Sequence, residues 1–305
     1  MRKVDHRKLG MLFAAGAAIC YGLAGIAGKL AYSGGGNTFT ILAYRNIISI
    51  PILFFILKAT GISLKVTKKQ LLGLVYLGLQ GGFATVFFMY SSFEYISVGL
   101  AICLHFCFPV IVAFIYVVIF KEKLSRTKAL ALLFAFIGVW FFLESNAVVN
   151  PKGLLLALAS GLSNAFFLTA LDKLGLKVLN GMVISLYCCI VGAIAFLTVG
   201  TLAGYVFTDG LQLKGWILIF AGAILISVLA NAMVPTAVKY VGPTVTGILG
   251  IIEPFISVLL SMLILHEPFG IRSVFGAIFV LTAAGLLTLE KETPEDIMIE
   301  KAKGI

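Results

Sequence analysis

The sequence predicts an all-α integral membrane protein: ten transmembrane helices in two inverted five-helix repeats. Three observations predict it. First, 61% of the 305 residues are hydrophobic and only 12% are charged, with a mean hydropathy of +1.10. An ordinary globular domain is about 45–50% apolar and about 25% charged, so water-facing helices could not hide this much apolar surface. Second, the apolar residues fall into ten helix-length runs, at 9–32, 38–57, 70–93, 95–120, 129–143, 153–171, 178–205, 215–236, 241–265 and 273–289. At roughly 20 apolar residues per span these runs occupy the chain, which excludes soluble enzymes and DNA-binding modules. Third, sliding the chain by 145 residues pairs Gly16 with Gly161, Tyr95 with Tyr240, Leu104 with Leu249, Pro109 with Pro254 and Glu122 with Glu267. Five helices per half is an odd number, so the second half must enter the membrane with the opposite orientation.

Each run holds up when taken in order. The first follows Arg2, Lys3, Arg7 and Lys8 and is rich in Ala, as a secretory signal would be. It continues past Tyr21 to Tyr32 and therefore reads as a retained first helix. Basic stretches from Lys58 to Lys69 and from Lys121 to Lys128 separate runs two from three and four from five. In the second half the separators are Lys173 to Lys177, Lys214, Lys239 and Arg272. Pro109, Pro235 and Pro254 interrupt runs, which membrane helices tolerate. The pattern divides the chain into a cytoplasmic tail (1–8), a first repeat (9–145), a second repeat (146–290) and a cytoplasmic tail (291–305).

Orientation follows from the basic residues. With the N-terminus inside, 18 of the 23 Lys and Arg residues fall on the inner side and only Lys152, Lys214 and Arg272 on the outer, while Lys29 and Arg45 sit within runs. Cytoplasmic loops carry this excess, so both termini are expected in the cytoplasm of a multi-pass protein of the cell (inner) membrane. The acidic stretch from Glu290 to Glu300 carries little topological weight.

The five cysteines, Cys20, Cys103, Cys107, Cys188 and Cys189, all lie inside runs and suggest no disulfide. Cys103, His105 and Cys107 do not make a metal site, because on a helix of 3.6 residues per turn position 105 lies nearly opposite the face shared by 103 and 107. The repeat is more informative. Two similar halves of opposite orientation recur in secondary transporters, where they supply inward-open and outward-open states around one site.

The residues also carry a family resemblance. The stretch from Tyr90 through Ser97-Val98-Gly99-Leu100-Ala101 to Pro109 and on to Lys121-Glu122-Lys123-Leu124 resembles the fourth-helix signature of the drug/metabolite transporter superfamily, EamA type. Its partner runs Lys239-Tyr240-Val241-Gly242-Pro243, then Glu253-Pro254, then Leu265-His266-Glu267-Pro268, with His266 where the family has Gly. Lys29 and Arg45 fit positions where the family often carries a basic residue. The resemblance spans roughly residues 9 to 289 and implies ten helices moving small polar metabolites or amino acids by alternating access.

A polar group buried in lipid costs free energy unless it is paired or faces a cavity, so such groups are the candidates for solute contact. Glu253 is the only carboxylate well inside a run, and Thr246, Gly250, Ser257 and Ser261 share its helical face. That face reads as a cavity wall, or as a close-packing surface beside a Glu-Pro kink. His105, one turn from Pro109, is a departure from the family, where the position is usually apolar; it reads as a ligand of this member's solute or as a neutral hydrogen-bonded core group. Arg45 cannot deprotonate and reads as the counter-ion of a carboxylate-bearing solute or of a buried acceptor. Lys29 either contributes to the site or snorkels to the surface. Asn164, Asn231, Gln80, Ser227 and Ser91 offer uncharged hydrogen bonds to a solute or between helices, and Tyr21, Tyr44, Tyr90, Phe106, Phe108 and Phe166 could line an amphipathic cavity.

No His-Glu-x-x-His, Asp-rich diphosphate motif or Gly-x-Ser-x-Gly is present, and no phosphate-binding glycine loop. The sequence therefore predicts a secondary transporter of a small polar metabolite rather than an enzyme, with no cofactor or metal and no nucleic-acid partner. An exporter of organic cations or drugs, and a non-transporting receptor or structural protein, are the alternatives. The expected partners are a small-molecule substrate and the lipid bilayer, with the protein a monomer or homodimer.

Overall fold

The structure, a computed structural model, describes residues 6–121, 124–143, 150–205 and 210–289. Among these residues every regular element is helical. The first half comprises α1 (His6–Tyr32), α2 (Thr38–Ala59), α3 (Lys68–Leu77), a π-helical segment (Gly78–Thr85) that runs into α4 (Val86–Ser92), α5 (Val98–His105), α6 (Phe108–Val118) and α7 (Arg126–Leu143). The second half comprises α8 (Pro151–Lys173), α9 (Gly181–Leu202), α10 (Leu213–Ala223), a π-helical segment (Ile224–Ala230), α11 (Asn231–Gly250), α12 (Ile252–Ile264) and α13 (Ile271–Leu289). Helix starts carry side-chain caps where the chain leaves a loop: Asn37 accepts from the Thr40 amide, Thr67 and Gln70 form a capping box, and Ser97, Asn150 and Asn180 cap α5, α8 and α9.

Seven helical stretches are long and apolar enough to cross a membrane, and Ile252–Ile264 and Ile271–Leu287 are shorter apolar helices. The expected count of ten spans is therefore not reached among the described residues. One physical difference is visible at the junction of spans eight and nine. The first half turns at 93–97, whereas α11 stays helical through the matching positions 238–242. The expected repeat boundary at 145/146, both tails beyond α1 and α13, and Glu122 and Lys123 lie outside the described residues.

The 145-residue offset reappears in the backbone. The two π segments superpose within a residue under it, as do the break after His105 and the break at Ile251 between α11 and α12. Both breaks precede a proline in the next helix's first turn, Pro109 and Pro254, whose ring clashes with the carbonyl four residues back. Even the two non-glycine residues with positive φ among the described residues match: Lys121 at 55° and His266 at 54°.

Packing shows the inversion. Phe39 of α2 meets Phe196 of α9, Asn46 faces Gly192, and Leu53 and Leu57 pack on Val183 and Leu186. Residue numbers rise along α2 as they fall along α9, so these equivalent helices run antiparallel. The same holds for α7 and α13, where Phe134 meets Phe279 and Phe141 meets Phe275. A second consequence is exchange of partners: α1 packs against α10, α11 and α12, while its counterpart α8 packs against the first π segment, α4, α5 and α6. The surface inverts that of a soluble protein. Leu12, Leu72 and Phe136 are exposed, while Arg45, Asn46, Ser49, His105 and Ser160 are buried, as expected where lipid replaces water around the bundle.

Candidate functional site

Polar side chains converge at three places inside the bundle. The first surrounds α8. A π segment leaves backbone carbonyls out of the regular i→i−4 ladder, and here neighbouring helices supply the donors. Ser160 Oγ donates to Thr85 O at 2.9 Å, Ser163 Oγ to Gln80 O at 3.1 Å, and Asn46 Nδ2 to Gly82 O at 3.4 Å. The Gln80 side chain is itself engaged, its Oε1 accepting from Ser163 at 2.8 Å.

His105 joins this cluster, and its tautomer follows from the network. Nδ1 lies 2.9 Å from Ser160 Oγ, whose single proton is already given to Thr85 O. Nδ1 therefore carries the proton and donates, leaving Nε2 as the acceptor facing Asn164 Nδ2 at 3.5 Å. Gly161 makes the close approach possible, since a Cβ there would sit 2.9 Å from His105 O. His105, Asn164 and Gln80 are thus brought together.

The second cluster surrounds α1. Tyr21 OH donates to Asn231 Oδ1 at 3.4 Å, and Ser257 Oγ donates to the backbone carbonyl of Glu253 at 2.8 Å. Gly22 lets α1 press against both, because a Cβ there would meet Ser257 Oγ at 3.2 Å and Glu253 O at 3.3 Å. Among the described residues the Glu253 carboxylate takes part in no hydrogen bond or ion pair. The Ser257 bond is a back-bond to the carbonyl four residues earlier, whereas the carbonyl that Pro254 leaves without its amide donor is that of Gly250.

Arg45 forms the third. It is 7% exposed, and its Nη1 donates to Tyr90 OH at 3.2 Å with the guanidinium carbon 5.4 Å from the ring centroid. Among the described residues no carboxylate lies within 4 Å of it. Tyr90 seats against Gly28 of α1, where a Cβ would approach the ring to 2.5 Å. Ser49, one turn along α2, accepts from Ser227 Oγ at 2.6 Å and donates to Arg45 O. Gly22 and Gly28 are six residues apart on α1, roughly 9 Å of rise, which sets the scale separating the Glu253 and Tyr90–Arg45 groups.

Lys29 stands apart from all three. It donates to Phe93 O and lies 3.7 Å from Glu267 Oε1, near one end of the bundle. Two cavities of about 230 and about 300 Å³ open at that end and share Glu94 and Tyr95. Neither is lined by Arg45, His105 or Glu253.

Some of these contacts carry a sequence signal and some do not. Ser49 lies four residues after Arg45 and Ser160 four before Asn164, so helical periodicity could have marked both. Tyr90 as the partner of Arg45, and Glu267 as the partner of Lys29, join residues far apart in the chain and have no such signal.

The model of the EamA-like transporter family matches residues 8–143 and again 151–289. One crystal structure, described only as that of a protein, superposes with a TM-score of 0.63 at 17% identity, covering 92% of this chain and 96% of the other. That likeness bears on the fold alone. Among curated proteins no sequence matches.

Proposed function

From the membership of this chain in the EamA-like transporter family, within the drug/metabolite transporter superfamily, we propose that it is a secondary carrier moving a small polar metabolite, an amino acid or related compound, by alternating access. Membership in this family supports a membrane transporter of small molecules rather than an enzyme. The observation that carries it is Arg45, a permanent cation held in the middle of the bundle with a neutral phenol as its hydrogen-bond partner. A charge at such depth marks a solute pathway, and an anionic group on the solute supplies what Tyr90 lacks. His105, Asn164 and Gln80 on one side and Tyr21, Asn231, Glu253 and Ser257 on the other provide neutral and acidic contacts for the rest of the molecule. Lys29 acts at the rim.

Purified protein in liposomes tests this directly. Saturable counterflow of a labelled amino acid or related carboxylate is the expected result; its absence across such solutes, with saturable movement of a lipophilic organic cation instead, would favour the second reading. That reading is supported by Glu253, a carboxylate without a partner among the described residues. A protein that moves neither class would be a receptor or structural protein.

The carrier is proposed to sit in the cell membrane with both termini cytoplasmic. Reporter fusions after Lys69 and Lys128 should read as cytoplasmic and fusions after Gly36 and Gly210 as external, following the basic-residue asymmetry. Reversal at two or more of these sites would overturn the orientation.

A further inference from the structure

We propose that two polar latches on equivalent helix pairs of the two repeats, Lys29–Glu267–Ser261 at one end of the bundle and Tyr116–Asp172 at the other, are the gates whose alternate opening exposes the central clusters. The inference rests on the carrier reading and names the contacts that must break.

At the first end the Glu267 carboxylate gathers three partners from three helices. Ser261 of α12 donates to Oε2, the Val98 amide at the start of α5 donates to the same oxygen at 2.9 Å, and Lys29 of α1 approaches Oε1 to 3.7 Å. Lys29 also donates to Phe93 O just beyond α4. The knot therefore ties α1 to α12, with α5 held between them. At the second end Tyr116 OH of α6 donates to Asp172 Oδ2 of α8 at 2.7 Å. The Lys173 ammonium lies 4.4 Å over the Tyr116 ring, 4.7 Å over Phe120 and 3.7 Å from Asp172. That latch ties α6 to α8.

The two are related by the repeat. α1 with α12 is the image of α8 with α6, and Ser261 is Tyr116 shifted by the 145-residue offset, while the other latch residues differ, Lys29 answering to Leu174 and Asp172 to Ala27. They sit at opposite ends, because the chain crosses from Val98 to Tyr116 through α5 and α6, roughly 27 Å of helical rise. In an inverted repeat, the rocking that parts α1 from α12 at one end is the same motion that parts α8 from α6 at the other. Here both latches are formed, and the Arg45, His105 and Glu253 groups line neither cavity at the Lys29 end. The contacts that cross between helices differ at the two ends, Lys29 with Glu267 at one and Tyr116 with Asp172 at the other, so each can be weakened separately.

Hydrogen–deuterium exchange on the full-length protein in lipid nanodiscs, without solute, tests the gates. Lys29→Met and Glu267→Gln remove the ion pair from either side, and the second keeps an acceptor for the Val98 amide. Each should speed exchange at 97–102 and 261–267 about tenfold, the scale of one lost hydrogen bond to a charged group, and should slow exchange at 113–118 and 168–174. Tyr116→Phe, which deletes one hydroxyl, should produce the reverse pattern. Faster exchange confined to the altered end, or spread over both ends, would make these contacts simple helix-end caps and overturn the proposal. Liposome counterflow on the same samples separates the two ideas. Reciprocal exchange without solute movement would sink the carrier reading and leave the latches standing; wild-type counterflow without reciprocity would sink the latches alone.

Discussion

Arg45→Ala is expected to raise the apparent KM for an anionic solute by roughly ten- to a hundredfold while leaving expression and thermal stability near those of the parent. The estimate follows from the lost hydrogen bonds to a charged group, about 1.5–3 kcal/mol, expressed in KM when binding rather than translocation is weakened. Two companion variants separate charge from geometry. Arg45→Lys retains the cation but not the planar fork and should keep part of the affinity. Tyr90→Phe removes the phenol oxygen that accepts from Nη1 and leaves the ring beneath the guanidinium, so its KM should change little if the solute, rather than Tyr90, is what Arg45 serves. Stability is the readout that a structural role would move. If Arg45→Ala melts well below the parent while the solute KM is unchanged, Arg45 is a packing residue anchored to Tyr90 and the substrate need carry no negative charge.

How far the site was legible in advance depends on the distance over which each contact acts. The repeat was readable because Pro109 with Pro254 and Glu122 with Glu267 are single-residue signals at one spacing, and the structure carries that spacing into the helix breaks and into Lys121 and His266. Of the face expected around Glu253, Ser257 and Ser261 lie with it on α12, whereas Thr246 and Gly250 lie on α11 beyond the break at Ile251, since periodicity assumes a helix that runs unbroken. The π segments were not readable, since nothing in Gly78–Thr85 or Ile224–Ala230 distinguishes a π turn from an α turn; what stabilises the first is Ser160, Ser163 and Asn46 reaching in from α8 and α2. Lys29 shows the same limit. Snorkelling and a site role were the readings available from its position, whereas its partner Glu267 comes from the loop between α12 and α13 at the other end of the chain. The continuous helix through 238–242 was likewise hidden, because Lys239 between two apolar runs read as a separator in sequence.

The largest effect on energetics, as opposed to affinity, is expected at Glu253. It is the one carboxylate on the inner wall of α12, it presses against Gly22 of α1 through its backbone, and among the described residues its side chain has no hydrogen-bond or ion-pair partner. An intramembrane carboxylate without a fixed counter-ion is the side chain that can take up a proton from one face and release it to the other as the bundle alternates. Glu253→Gln keeps the size and most of the hydrogen-bonding capacity and removes only that exchange. The expected result is that solute accumulation driven by a pH gradient falls to the level of passive equilibration, while counterflow, which needs no net proton movement, continues at a rate near that of the parent. A Glu253→Asp variant should restore part of the accumulation, because the carboxylate returns one methylene short. The decisive measurement is the ratio of accumulated to external solute in liposomes with and without an imposed pH gradient. Should Glu253→Gln concentrate solute as well as the parent does, Glu253 moves no protons. The Glu-Pro pair would then be a device for the helix break at Ile251, and the driving gradient would have to be sought elsewhere.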